Sequence, residues 1–141
     1  MSKIEVNTID AQCGSTITLG SSGKTVTLAP GASQSGFGRT GTVDWCTTAK
    51  TSPFTSVSGK GYFVDTNGGA VTVTLPSSPS AGDIISIADY RNTFQTNNVT
   101  IGRNSSKING VCSDATLSTQ GQSVTLVYVD GTRGWKNVQD S

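Results

Sequence analysis

From residue 60 to the C-terminus, short runs rich in Val, Ile, Thr, Tyr and Phe alternate with turn-forming residues. The runs span residues 61–66, 70–75, 83–90, 98–103, 115–117, 123–129 and 135–138. Turn signals separate them at intervals of roughly 8–12 residues, a spacing typical of small all-β folds. No window has the apolar spacing of a helix. The pattern predicts an all-β chain in which residues 60–141 form a small antiparallel β-sandwich or barrel-like domain.

Two of these runs carry more specific signals. Asn67 and Gly68 lie between the first two runs, and an Asn-Gly pair in that position predicts a hairpin. The run 83–90, DIISIADY, is the most apolar, which favours a strand at the centre of a sheet.

The first 35 residues differ in character, because they include no aromatic residue and contain an internal repeat. Residues 15–23, STITLGSSG, are followed by residues 24–32, KTVTLAPGA, so that Ile17 matches Val26 and Leu19 matches Leu28 nine positions later. Each copy alternates apolar and hydroxyl side chains and then reaches a turn with Gly or Pro. Residues 1–35 are therefore predicted to form an extended β arm or shaft.

Strands this short bury too little apolar surface to be stable alone. Only 33% of the residues are apolar and 13% are charged, so each chain has a thin core. The arm either packs onto the C-terminal domain or is buried by other copies of the chain, and a repeat of one strand per turn favours the second arrangement. The predicted subunit interface consists of Ile4, Val6, Ile17, Leu19, Val26 and Leu28.

Residues 36–59 are interpreted as a connector that includes one or two strands, such as residues 42–46. Trp45 and Phe54 are its aromatic residues nearest the domain that follows, and we expect them to anchor the connector to it.

The residue types present argue against catalysis and against a bound metal or cofactor. The chain has no His, which removes the commonest general base and metal ligand. Most Asp residues, such as Asp65, Asp83 and Asp130, precede or follow turns, where Asp bonds to the local backbone. Asp83 and Asp89 would be about 20 Å apart on one strand, whereas glycoside cleavage needs carboxylates roughly 5–10 Å apart. The sequence therefore predicts a protein that is not an enzyme, with no catalytic, metal-binding or cofactor-binding residues.

Charge and cysteine usage exclude further classes of partner. The net charge is +1 and the ten basic residues are scattered, which argues against nucleic-acid binding. No run is apolar for long enough to insert in a membrane, and the N-terminus does not have the pattern of a secretory signal. The three cysteines, Cys13, Cys46 and Cys112, form no metal-ligand pair, and we interpret them as free thiols in a reducing cytoplasm.

One loop combines aromatic and polar side chains in a way that suits contact with a sugar or a protein. The candidate ligand contacts are Tyr90, Arg91, Asn92 and Phe94. Packing in the core is the role that we favour for Phe94, and it is the alternative role for Tyr90.

Several segments of the chain resemble small virion structural proteins of tailed bacteriophages, particularly those of marine cyanobacteria. In the first half these are KIEVNTIDAQCGSTITLGSSGKTVTLAPGA and QSGFGRTGTVDW. In the second half they are GYFVDTNGGAVTVTLPSSPSAGDIISIADY, NNVTIGRNSSKING and ATLSTQGQSVTLVYVDGTRGW. The resemblance covers nearly the whole chain, but it is carried by strands and turns and brings no catalytic or binding residues with it.

The resemblance implies a homotrimeric tail-fibre or fibre-like subunit that attaches to other virion proteins, is located in the virion after assembly in the host cytoplasm, and contacts the host surface. Because the chain is short for a complete receptor-binding fibre, a capsid decoration protein on the head surface is an alternative. A carbohydrate-binding β module that recognises a host surface glycan is a third hypothesis.

Overall fold

A computed structural model of the chain describes residues 3–32 and 43–140. The chain divides into two compact units, Met1–Gly38 and Arg39–Ser141. Residues 36–42 of the predicted connector, including the start of its predicted strand at residue 42, lie outside the described residues.

In the first unit, residues 3–32 contain turns but no strand or helix. The Lys24 N–H donates to Ser21 O at 3.0 Å, and the Ala32 N–H donates to Ala29 O at 2.9 Å, so each copy of the repeat is followed by a closed turn. The strands that the repeat predicts do not form within the single chain. The physical reason is that a strand needs a neighbour to satisfy its backbone groups, and two runs of this size do not stabilise each other.

Nine strands form the described part of the second unit: β1 (Asp44–Lys50), β2 (Phe54–Thr55), β3 (Lys60–Val64), β4 (Val71–Thr74), β5 (Ile84–Asp89), β6 (Val99–Gly102), β7 (Ala115–Leu117), β8 (Ser123–Asp130) and β9 (Gly134–Asp140). The seven runs predicted after residue 60 correspond to β3–β9, with ends that differ slightly. No helix occurs in residues 3–32 or 43–140. The all-β class is therefore confirmed.

Successive strands from β1 to β6 alternate between two sheets. One sheet has the order β1-β3-β5-β8-β9, and the other has the order β2-β4-β6-β7. Within each sheet the neighbours among β1–β6 are parallel. The pairs β1–β2, β3–β4 and β5–β6 therefore form successive coils of a short β-solenoid.

The last three strands end this winding by reversing direction. The pairs β5–β8, β6–β7 and β8–β9 are all antiparallel. Both sheets are consequently mixed, parallel on the side of the first coil and antiparallel on the other.

The antiparallel pairing predicted for residues 60–141 is wrong for β3–β6, and so is the hairpin at Asn67 and Gly68. The chain turns there, but β3 and β4 enter different sheets, and each pairs with a parallel strand from the next coil. Val64 before the turn and Val71 after it are both buried, facing one core from opposite sheets. The alternation of apolar and polar residues along a strand determines which side chains point inward. It does not determine whether the next strand pairs with the first in the same sheet or lies across the core in the other sheet.

A single apolar core lies between the two sheets. Its members come from both sheets and from three connecting segments. The five-stranded sheet contributes Tyr62, Val64, Ile85, Ile87, Val124, Leu126 and Trp135, the four-stranded sheet contributes Val71, Val73, Val99, Ile101 and Leu117, and the connecting segments contribute Leu75, Phe94 and Ile108. β5 lies in the middle of its five-stranded sheet, and its first four residues are buried. The predicted central strand is confirmed.

The first coil is held to the second by an aromatic contact on the outer face of the sheet. Trp45 of β1 stacks on Phe63 of β3 with ring centroids 4.9 Å apart. Gly61 lies opposite Trp45 in the strand register, and a Cβ at Gly61 would lie 2.6 Å from Trp45 Cε3 and 2.7 Å from Val43 Cγ2. Only a residue without a side chain lets the indole lie flat on β3.

We expect Gly61→Ala to lower the free energy of unfolding by about 1–3 kcal/mol, because the added methyl group must displace the indole or the backbone. Urea unfolding followed by tryptophan fluorescence measures the change. Gly68→Ala is the matched control, since its Cβ would meet no atom within 4 Å, and it should alter the unfolding free energy by no more than about 1 kcal/mol. Equal effects of the two substitutions would contradict the proposed packing.

Candidate functional site

A cluster of polar residues lies where the parallel strands β3 and β5 end. Val64 at the end of β3 is opposite Asp89 at the end of β5, and the Tyr90 N–H donates to Val64 O at 2.9 Å. Residues that follow the two strands therefore emerge at the same end of the sheet. This places Asp65 beside Arg91, and the Arg91 Nε donates to Asp65 Oδ2 at 2.8 Å.

Tyr90 and Arg91 form an exposed surface above this ion pair. The Tyr90 side chain is 53% exposed, and the Arg91 guanidinium carbon lies 5.7 Å from the centroid of its ring. We call Tyr90, Arg91 and Asp65 the Tyr90 surface. Because Asp65 neutralises Arg91, the surface offers an aromatic ring with hydrogen-bond donors rather than a free cation, a combination suited to a neutral polar ligand.

The loop that carries this surface is fixed by the carboxylate of Asp89. One Asp89 oxygen accepts the Thr93 N–H at 3.1 Å, and the other accepts the N–H groups of Phe94 and Gly121, each at 3.1 Å. Carboxylates that accept several backbone N–H groups make strong, charge-assisted bonds. Asp89 therefore joins the loop after β5 to the turn before β8.

Further polar contacts join the same loop to the corner after β3. The hydroxyl groups of Thr66 and Thr93 are 2.8 Å apart, and the Asn97 Nδ2 donates to Thr66 O at 2.8 Å. Thr66 is fully buried, so these bonds satisfy polar groups that water does not reach. The base of the Tyr90 surface is consequently rigid.

The four predicted ligand contacts have different positions. Tyr90, Arg91 and Asn92 are exposed and adjacent, and Asn92 has a φ of 60° in the turn. Phe94 is wrong as a ligand contact, because its side chain is 0% exposed and belongs to the core. Asp65 belongs to the surface but was missed, since its position beside Arg91 depends on the parallel pairing of β3 and β5.

The ion pair shifts the titration of both groups. The Arg91 guanidinium, assisted by the Asn67 N–H, holds the pKa of the Asp65 carboxyl below its ordinary value of 3.8. Asp65 in turn raises the pKa of Arg91 above its usual range. Because the folded-state pKa of Asp65 lies below its unfolded value, the pair stabilises the fold above the unfolded pKa, and this contribution is lost as pH falls through the folded pKa.

The predicted interface residues of the arm are exposed in the single chain. The exposed fractions of their side chains run from 43% for Ile17 to 83% for Ile4. The full set is Ile4, Val6, Ile17, Leu19, Val26 and Leu28, and Ile9 shares the same property. Within the first unit, the apolar side of the repeat is therefore left exposed.

A cleft of about 160 Å³ opens between the two sheets near the antiparallel strands. Its apolar wall includes Ile101, Leu117 and Leu126, and its polar lining includes Gln122, whose Oε1 already accepts the N–H groups of Ser118 and Thr119. Pockets for organic ligands usually have volumes of about 300–1,000 Å³. The cleft is thus smaller than a typical ligand pocket, and its lining comes from too many segments for a sequence pattern to reveal it.

The carboxylates assigned to turns bond to turn backbone, as predicted. Asp65 accepts the Asn67 N–H, Asp83 accepts the Ser80 N–H, and Asp130 accepts the N–H groups of Thr132 and Arg133. Among the described residues no group of three His, Cys, Asp or Glu side chains is placed to hold a metal ion. Cys13 and Cys112 are exposed and Cys46 is half-buried, all as free thiols.

Within residues 3–32 and 43–140 there is no helix long and apolar enough to cross a membrane.

The fold defines a class of protein, a short β-solenoid with an antiparallel end. No protein-family model matches the chain, and no curated protein matches it significantly.

We expect the Arg91→Gln substitution to raise the pKa of Asp65 towards 3.8, because the substitution removes the guanidinium that stabilises the carboxylate. An NMR titration of the Asp65 carboxyl carbon measures this change directly. Arg133→Gln, at an exposed arginine elsewhere, is the control and should leave the Asp65 titration unchanged. An Asp65 carboxyl that titrates identically in all three proteins would contradict the ion pair.

Proposed function

We propose that the chain is a structural subunit of a virion, a homotrimeric tail-fibre or fibre-like appendage that attaches to other virion proteins and contacts the host surface. In this proposal the first unit assembles with other copies and the second unit is the distal β domain. The protein acts through assembly and binding and is not an enzyme.

The observation that carries this proposal is the exposed apolar repeat of the arm. Leu19 and Leu28 are both more than half exposed, although their runs have the alternation of strands. Leaving such side chains in water forgoes the burial that stabilises most folds, about 25 cal/mol for each Å² of apolar surface. Association with further copies recovers this burial, and it supplies the strand neighbours that the runs lack.

The winding of β1–β6 in the second unit is also suited to a fibre. Stacked parallel coils build an elongated structure in which each coil contacts only its neighbours. The resemblance of KIEVNTIDAQCGSTITLGSSGKTVTLAPGA and the later segments to virion proteins of tailed bacteriophages supports the assignment of this architecture to a virus particle.

We expect Leu19→Asp to abolish the oligomer, because a charge at this position cannot be buried between chains without a partner. Sedimentation velocity of the purified full-length protein measures the association state. Thr18→Asp introduces the same charge on the opposite face of the same run and is the matched control, which should remain a trimer. A wild-type protein that stays monomeric, or a Leu19→Asp variant that stays trimeric, would refute the proposal.

The site of attachment is tested on virus particles that contain the protein. Antibodies against the second unit should label the tail in negative-stain electron microscopy. Labelling spread over the head would instead identify a capsid decoration protein.

The Tyr90 surface favours a second activity, recognition of a host surface glycan. An exposed aromatic ring stacks on the apolar face of a sugar, and an adjacent Arg supplies donors to sugar hydroxyls. The rigid base below the ring limits the entropy lost on binding.

We expect the wild-type protein to bind a subset of glycans on an array and the Tyr90→Ala/Arg91→Ala double variant to lose that binding. Thr132→Ala/Arg133→Ala alters two exposed residues of a different turn and should bind as the wild type does. Binding that survives removal of Tyr90 and Arg91 would exclude this surface as the contact.

A further inference from the structure

We propose that the open edge of the first coil, formed by β1 and β2, receives the nine-residue repeat of a second copy of the chain as an additional coil. This inference rests on the proposed self-assembly and names the surface at which it takes place. The occupant is residues 16–28 of the partner copy, bound by strand addition.

Among the described residues, no strand pairs with the outer side of β1. β1 and β2 are the terminal strands of their sheets among the described residues, each with one neighbouring strand. The Asp44 N–H donates to Gly59 O on the inner side at 2.8 Å, and since backbone groups alternate along a strand, those of Trp45 face outward. Such an edge is a template for a further strand.

The side chains of this edge also favour pairing. Residues 45–49, WCTTA, include no charged residue and no proline, the two residue kinds that most often protect a sheet edge. The ladder between β1 and β3 has an irregularity between Cys46 and Lys50, which limits the regular part of the edge to a short length. A short strand is therefore the partner that this edge fits.

The core below the edge is incompletely covered. Cys46 and Phe54 pack against the core from β1 and β2, yet both are only half-buried. The Lys50 ammonium lies 5.4 Å from the centroid of the Phe54 ring, so the end of the core is covered by a flexible side chain. An added pair of strands with inward apolar residues would exclude water there.

The repeat has the dimensions of such a pair. Its two alternating runs, residues 16–19 and 25–28, are separated by five residues. The corner between β1 and β2 has three residues and the corner between β3 and β4 has six. Each run would direct two apolar side chains towards the core, namely Ile17 and Leu19 from the first and Val26 and Leu28 from the second.

The geometry of the arm is compatible with docking. The Ser21–Lys24 turn is already closed by its hydrogen bond, with Gly20 and Gly23 at φ values of 75° and 80°. A preformed corner reduces the entropy that the segment loses when it binds. The apolar side chains are exposed within the first unit, and the proposed self-assembly makes a second copy the source of contact that we infer.

The other end of the stack is less suited to strand addition. There the strands are antiparallel, and the terminal strand β9 includes the charged residue Lys136 within its span. The charged residues of β1, Asp44 and Lys50, lie at its two ends, so its central residues are free of charge. The edge of the first coil is therefore the one that we assign to the partner's repeat.

Two lysines on the edge of β1 test the proposal. We expect Thr47→Lys/Thr48→Lys to raise the dissociation constant of the oligomer by at least about tenfold, because edge lysines prevent a further strand from pairing. The matched control is Thr116→Lys/Thr119→Lys, on the exposed side of β7 and in the turn that follows it, and it should assemble normally. Circular dichroism and thermal melting establish that both variants are folded, and sedimentation velocity gives the dissociation constants. Equal assembly of the two folded variants would overturn the proposal.

Photocross-linking identifies the occupant without relying on a destabilising substitution. A photoreactive phenylalanine analogue replaces Thr48 in an unlabelled full-length copy, which is co-assembled with a ¹⁵N-labelled wild-type copy. Mass spectrometry of the cross-linked peptides should show residues 16–28 from the labelled copy attached to position 48. The same analogue at Thr116 should give no such product.

The remaining outcomes separate this inference from the proposed function. A trimer whose position 48 cross-links to a different segment, to nothing, or only to residues 16–28 of the same copy refutes strand addition between copies but leaves the trimer in place. A protein that is monomeric at every concentration refutes both.

Discussion

The fold depends on one core that two sheets enclose together. Each connection between consecutive strands from β1 to β6 takes the chain from one sheet to the other, so that no coil has a separate core. The fully buried residues Val64, Val73, Ile87 and Ile101 come from different strands of both sheets, and removal of any one layer would expose the rest. A chain with 33% apolar residues can form this core because both sheets contribute side chains to it. The low content of apolar residues and the alternation of the chain between two sheets therefore go together, because both sheets must share one core.

The two ends of the stack solve the problem of unpaired edges differently. At one end the chain reverses: β8 pairs with β5, β7 pairs with β6, and β9 pairs with β8, all antiparallel. At the other end β1 and β2 have a single neighbour each among the described strands, and the contact of Trp45 with Gly61 and Phe63 holds β1 on β3. In a stack of coils the backbone groups are hydrogen-bonded between neighbouring coils, whereas the outer side of the first coil has no further coil to pair with. Assembly is a natural way to complete such an end, and the arm repeat has the length and alternation that completion requires.

The sequence predicted elements better than it predicted their partners. Alternation and turn residues located β3–β9, and the apolar run at DIISIADY identified the central strand. They did not reveal that consecutive strands enter different sheets, because Asn67 and Gly68 allow both a hairpin and a corner. The same limit applied to the Tyr90 surface. Its exposed residues are adjacent in sequence and were found, whereas Asp65 reaches Arg91 only through parallel pairing, and the burial of Phe94 depends on the loop that Asp89 fixes.

The bonds of Asp89 have a consequence for how this surface can change. Asp89 holds the loop through backbone N–H groups, and backbone groups are present whatever side chains the loop carries. Tyr90, Arg91 and Asn92 point outward and take no part in those bonds. Positions 90 and 91 can therefore be exchanged without loss of the loop's conformation, as the complementarity-determining loops of an antibody vary on a constant frame. Asn92 is more restricted, because its φ of 60° favours Asn or Gly. A protein that meets a changing counterpart on another surface could adapt to it by substitutions at positions 90 and 91.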